Sequence, residues 1–331
     1  MSTPASASGP APRGDPPRVL AICLNPAIDR VIVAPGAARG GTVRAPEVLE
    51  TAGGKATHAA VVASNYGADV RLVGPVGGGR GRSFTELLNR SRIRLASVPV
   101  APEIRETWTV VDPDVGDVLE VIGPSPSLAP EEVERVLTTT HQLLGWATDV
   151  LLAGSAAGGI DAVAYAEIVS EAQARGTRVL LDASGEALRA GLRAGPHVAC
   201  PNLAEACVAL GRPAPEELSL GTVLEVACGV RALGARAVAL TVGAWGALVL
   251  SPEGRAWHAV PPARPRVNAV GCGDAFLGAL AVALAQGRGF AEAARIATAA
   301  ALDKLGRLHP GEVDPRAARA LEPEVVVRRV G

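Results

Sequence analysis

Hydrophobic and polar positions along the chain follow two different rhythms. Arg18–Leu24 (RVLAICL) is an apolar run halted by Asn25-Pro26, which predicts a buried strand and a turn. Residues 28–34 and 42–49 are short, branched and joined by a Gly-rich link, so they predict two more strands. Gly54–Tyr66 reads as a helix closed by Gly67, Asp69–Gly74 as a strand and Gly81–Arg90 as a helix. Thr107–Asp112 and Val118–Ile122 flank a turn-forming Pro-Asp-Val-Gly-Asp and predict a hairpin.

From residue 130 helices and apolar strands alternate. A helix at about 130–144 precedes the strand Asp149–Ala153, one at 160–175 precedes Arg178–Asp182, one at 202–210 follows Val198–Cys200, and one at 217–233 precedes Ala237–Val242. A second hairpin-like pair and two Ala-rich helices, 274–286 and 290–305, come last. This alternation predicts an α/β fold with a parallel sheet covered on both faces. The strands at 28–34, 42–49, 107–112 and 118–122 fall outside it. They predict a small separate sheet over the carboxyl edge of the main one, where open α/β sheets bind ligands. Residues 1–17, rich in Ser, Pro, Ala and Gly, are expected to form a disordered leader, 18–320 the domain and 321–331 a C-terminal tail.

At 331 residues the chain can bury a large core. A net charge of −1 argues against a nucleic-acid or membrane surface, and no apolar run is long enough to span a bilayer. Five cysteines without a CxxC pair suggest reduced thiols and a cytoplasmic location. The scattered histidines give no structural metal site. The basic residues are arginines except Lys55 and Lys304, which makes a lysine held between two glycines and a helix conspicuous.

Chemistry concentrates in Asn268-Ala-Val-Gly-Cys-Gly-Asp274. Its small residues let backbone amides converge on an anion at a helix start. Asp274 stands where it could take a proton from a hydroxyl while the amides of Gly271, Cys272 and Gly273 hold phosphate charge. A structural N-cap on a buried helix would use the same residues. Other motifs fail. Ala56 follows Lys55, so there is no Walker loop, and Ser155 lies outside a Gly-x-Ser-x-Gly elbow. Gly77-Gly-Gly-Arg-Gly81 is a degenerate candidate for a dinucleotide turn, which would make the chain a dehydrogenase.

Seven segments in order resemble the PfkB (ribokinase-like) carbohydrate kinases over residues 18–315: Leu24-Asn-Pro-Ala-Ile-Asp29, Gly53-Gly-Lys55, Gly154-Ser155, Asp182-Ala-Ser-Gly185, Pro201-Asn-Leu-Ala-Glu205, Thr241–Ala247 and Asn268–Asp274. Within the family the chain is most similar to the branch of 1-phosphofructokinases, tagatose-6-phosphate kinases and minor 6-phosphofructokinases. The resemblance implies a three-layer αβα sandwich with a β-sheet lid, ATP with Mg²⁺, and a ketohexose phosphate acceptor, fructose 1-phosphate first.

By the same resemblance Asp274 is the base and Gly271–Gly273 the anion hole. Asp29, Gly53 and Gly54 hold the sugar, and Lys55 and Arg105 its phosphate. Ser155 either donates to substrate or caps a helix. Asn202 and Glu205 serve the Mg–phosphate network, reaching the metal through water, although a capping box has the same spacing. Thr241, Gly243 and Gly246 form the nucleotide-side turn. The chain departs from the branch at His58 (usually Asn), Ala157 (Pro), Cys200 (Lys), Ile122 (Asn) and Cys272 (Ala). His58 either contacts the sugar or packs against the sheet. The alternatives are a tagatose-6-phosphate kinase, a 6-phosphofructokinase or another sugar kinase, and, from these departures, a non-catalytic sugar-phosphate sensor. The lid's apolar face suggests a homodimer.

Overall fold

The computed structural model describes residues 15–38 and 40–330. Residues 1–14 of the expected leader lie outside the described residues. Strand Arg18–Ile22 occupies an interior position in a ten-stranded sheet. Its Val19 and Ala21 enter one apolar cluster, its Leu20 and Ile22 another, because successive side chains of a strand face opposite ways. A strand buried on both faces has no polar positions to alternate, hence the unbroken run in the sequence. Truncating Leu20 or Ile22 to alanine would cost about 2–5 kcal/mol.

Six strands extend the sheet in parallel: Asp69–Gly77 and Arg94–Val100 on one side, Asp149–Ala153, Arg178–Asp182, Val198–Ala199 and Ala237–Thr241 on the other. Ala247–Leu250, Ala256–Val260 and Val326–Val330 continue it antiparallel. Helices Lys55–Asn65, Cys272–Ala285 and Phe290–Leu305 pack on one face, and Pro130–Leu144, Val163–Ala174 and Leu220–Ala232 on the other. The result is the expected αβα sandwich.

The second sheet has the order Glu47–Gly53, Ala27–Val33, Arg105–Asp112, Asp117–Ile122. Its register aligns Asp29 with Thr51 and Thr107, so Asp29, Val31, Thr107 and Thr109 share the face turned to the main domain, where all four are buried. The strand expected at 42–49 is Glu47–Gly53, and the helix expected from Gly81 starts at Gly78.

Arg94–Val100 carries no clean apolar run because it is an edge strand; such a strand also tolerates Pro99. The helix Gly185–Arg193 was likewise not anticipated. Within the expected tail 321–331, Val326–Val330 forms a strand that pairs with Ala256–Val260 along the opposite edge. Its two arginines discourage further pairing there, and they give it a tail's composition. Among the described residues no helix is long and apolar enough to cross a membrane.

Candidate active site

Two helix starts and the lid strand Ala27–Val33 converge on one cleft. Strand Glu47–Gly53 enters helix Lys55–Asn65 through Gly54, whose φ of 104° suits glycine. Lys55 and His58, three residues apart, lie on one side of that helix. Helix Cys272–Ala285 crosses it closely because Gly278 has no Cβ; one would stand 2.5 Å from the Ala59 carbonyl oxygen. The crossing brings Asp274 to His58.

Nδ1 of His58 lies 3.0 Å from Oδ2 of Asp274, in hydrogen-bond geometry. Its Nε2 is 3.1 Å from Oδ2 of Asp29, an ion-pair distance without hydrogen-bond alignment. All three side chains are buried. Burial alone would push His58 down, but the hydrogen bond to Asp274 and the charges of Asp29 and Asp274 outweigh it and lift the imidazole to about 10. His58 is therefore a cation at neutral pH that ties two acids together. Gly53 makes room for this line, since a Cβ there would overlap the Asp29 carboxylate. A Cβ on Gly54 would stand 2.9 Å from Cys23 Sγ.

Gly271 opens helix Cys272–Ala285 in the left-handed region, φ 87°. The Cys272 amide, expected in the anion hole, instead donates to the Ala269 carbonyl at 3.2 Å. The amides of Gly271, Gly273 and Asp274 have no backbone acceptor among the described residues. A Cβ on Gly273 would meet nothing within 4 Å, so this first turn faces open space. Unpaired amides at the positive end of a helix dipole suit an anion. The Cys272 thiol is pushed up by burial, against the pull of Lys304, to about 11, and is no nucleophile at neutral pH.

On the other side of the cleft Asn202 and Glu205 form a full capping box, each side chain accepting the other's amide at 2.9 Å. Glu205 also has Oε1 to spare, and it accepts from Lys55 Nζ at 3.0 Å, while Asp182 Oδ1 accepts from the same nitrogen at 3.1 Å. Lys55, expected at the acceptor phosphate, is thus tied to two acids. Burial pushes Asp182 up and Lys55 pulls it down. Burial opposes the charge on Lys55 too, but Asp182 and Glu205 raise its pKa overall.

Two carboxylates against one ammonium leave a negative excess that fits Mg²⁺, which takes oxygen ligands, few of them from protein. Asp182 and Glu205 are the residues that would hold it, through water; no group of three or more potential metal ligands occurs among the described residues. The sequence drew attention to the Asp182 segment without giving that residue a role. Its place at the carboxyl end of a parallel strand was the available signal.

Thr241 is bridged to Asn202, and Gly243, φ 52°, faces open space. Gly246 differs: a Cβ would collide with the Ala259 carbonyl, and its amide donates to Gly243, so chain closure alone requires glycine. Ser155 is exposed and caps no helix, the next one starting at Val163; its hydroxyl accepts from Asn25 Nδ2 at 3.1 Å. Arg105 begins its lid strand opposite Ala27. Its Nε is buried without a hydrogen-bond partner, and it makes no ion pair among the described residues.

Among the departures, Cys200 and Ala157 are core residues, and Ile122 is exposed. The start of helix Gly78–Leu88 is already filled: Glu103 Oε1 accepts from the amides of Gly79 and Arg80 at 2.8 and 3.1 Å. That leaves no seat for a dinucleotide pyrophosphate.

The pfkB family carbohydrate kinase model matches residues 19–307. The chain belongs to the pfkB family of carbohydrate kinases. Its membership makes it a phosphotransferase of an ATP-using family. It is 34% identical to 1-phosphofructokinase of Rhodobacter capsulatus over 94% of this chain and 98% of that one. It is 30% identical to the Escherichia coli K12 1-phosphofructokinase over 90% and 94%. A Thermotoga maritima structure described as a "Possible 1-phosphofructokinase" superposes with a TM-score of 0.85 at 22% identity, covering 95% of this chain and all of that one. Phosphofructokinase-2 of E. coli with substrates and products gives 0.83 at 23%, over 93% and 99%. At these identities the superpositions establish the fold alone.

Proposed function

We propose that this pfkB kinase phosphorylates a ketohexose monophosphate with ATP, fructose 1-phosphate to fructose 1,6-bisphosphate being the first choice. The observation that carries a phosphorylated acceptor is Arg105, whose buried Nε lacks a hydrogen-bond partner and which shares its face of the lid sheet with Asp29. A guanidinium can grip a phosphate with two parallel bonds. The names of the 34% and 30% identical relatives support the same acceptor.

In this reading Asp29 accepts from sugar hydroxyls, and Asp274 takes the proton of the attacking hydroxyl. His58 holds Oδ2 of Asp274 and leaves Oδ1 free to take that proton. The amides of Gly271, Gly273 and Asp274 receive charge that builds on the migrating group, and transfer is mostly positioning and electrostatics. Mg²⁺, when bound with the nucleotide near Asp182 and Glu205, would neutralise phosphate charge. Thr241 and Gly243 border the nucleotide.

The lid's register turns Ile32, Val48, Trp108, Leu119 and Val121 outward, and Val48, Leu119 and Val121 are exposed. A homodimer through this face is part of the proposal, as is a cytoplasmic location for a chain with five free thiols. One solved relative, phosphofructokinase-2 of E. coli, is described as tetrameric in an inhibited form.

The deciding experiment is ADP release across a panel of sugars and sugar monophosphates. Turnover confined to ketohexose phosphates is expected; preference for an unphosphorylated sugar would overturn the acceptor assignment.

A further inference from the structure

Lys304, one of only two lysines in the chain, is fully buried near the end of helix Phe290–Leu305 and makes no ion pair among the described residues. Its ammonium donates instead to two main-chain carbonyls, Asn268 at 2.9 Å and Arg307 at 3.0 Å. Asn268 opens the turn that leads to Gly271 and Asp274. The same turn is strapped to the same helix end by uncharged bonds: Val267 and Asn268 amides to the Leu305 carbonyl, and Asn268 Nδ2 to the Leu308 carbonyl at 2.7 Å. Within the turn, Asn268 Oδ1 accepts from the Val270 amide at 2.9 Å.

Burying an ammonium is costly, and one that meets only carbonyl dipoles gains less than one facing a carboxylate. A hydrophobic residue would fill the site at lower cost, so packing does not account for a lysine there. What a cation supplies is convergence: carbonyl oxygens from two segments, which would otherwise repel, are drawn to a common centre. One of those segments sets the direction of the amides that start helix Cys272–Ala285.

We infer that Lys304 is a positioning residue for phosphoryl transfer, its ammonium acting as a tethered cation that clamps the 268–271 turn and so aims the open amides of Gly271, Gly273 and Asp274. The inference rests on the reading of that turn as the anion site. A tethered cation makes a specific claim about free ones. The wild-type protein has no use for a small monovalent cation at this point, whereas a variant with the side chain removed has a carbonyl-lined hole that fits one.

The test compares the wild type, Lys304→Ala and Lys304→Met in ammonium, potassium or tetramethylammonium chloride at equal ionic strength, reading kcat, KM and melting temperature. The wild type is expected to behave alike in all three salts. Lys304→Ala should lose roughly 10–100-fold in kcat, the range seen when support behind a charged site is removed. Ammonium or potassium should restore it saturably and raise its melting temperature, and tetramethylammonium, too large to enter, should do neither. Lys304→Met, which fills the hole, should stay slow in every salt.

A wild-type rate that collapses without potassium would overturn the proposal, and that arm needs no variant to fold. So would a Lys304→Ala variant with normal kcat, or one whose rate and melting both ignore small cations. Should the wild type release no ADP with any acceptor, the kinase reading falls, and the melting series still decides whether the hole left by Lys304 takes a cation.

Discussion

Nδ1 of His58 lies 3.0 Å from Oδ2 of Asp274, so in the proposed mechanism the proton goes to the other oxygen. The other oxygen, Oδ1, has no hydrogen-bond partner among the described residues. Asp274→Asn removes the proposed base and keeps the shape. Turnover should fall roughly 10²–10⁴-fold with the KM for ATP little changed, measured by ADP release. Near-normal turnover would end the base assignment.

The same contact has a pH signature. His58 stands at about 10 in the folded protein against an ordinary 6.5. Its ion pairs therefore stabilise the fold in full below about 6.5 and lose that contribution as pH rises through about 10. The loss is on the order of a few kcal/mol. In urea unfolding, the gap between wild type and His58→Gln should narrow from pH 7 to pH 10.5; a constant gap would mean that the imidazole is neutral throughout. His58→Ala, which leaves two buried acids without their cation, should cost about 3–5 kcal/mol at pH 7.

Gly53 and Asp29 share one space. The Cβ of Gly53→Ala would overlap the Asp29 carboxylate, so that side chain has to swing out of line. The expected result is a several-fold or greater rise in KM for the sugar and little change for ATP. Equal effects on both substrates would show that Asp29 does not face the acceptor.

Arg105→Ala separates phosphorylated from plain acceptors. Loss of a charged hydrogen-bond partner is worth about 1.5–3 kcal/mol, or roughly 10–150-fold in KM for a sugar phosphate. An unphosphorylated sugar should be used no worse than before. A uniform loss would assign Arg105 to lid stability instead.

Local chemistry was the legible part of this chain. A glycine-rich turn before Asp274 and an Asn-Pro stop before Asp29 announce themselves within a few residues, as do strands buried on both faces. What stayed hidden depends on residues far apart. Lys55 finds Asp182 and Glu205 across 127 and 150 positions, and no spacing rule anticipates that pairing. The fate of the Cys272 amide hinges on a turn geometry that the letters Gly-Cys-Gly do not encode. Edge strands such as Val326–Val330 escaped because selection against sticky edges removes the apolar pattern by which strands are recognised.

Glu103 sits on the first amides of helix Gly78–Leu88. A nucleotide carries several phosphates, and a protein with more than one vacant helix start would offer it rival berths. By plugging one from within, the chain removes a decoy. Unplugging it with Glu103→Ala would create a competing anion trap, one that added inorganic phosphate should fill and so silence.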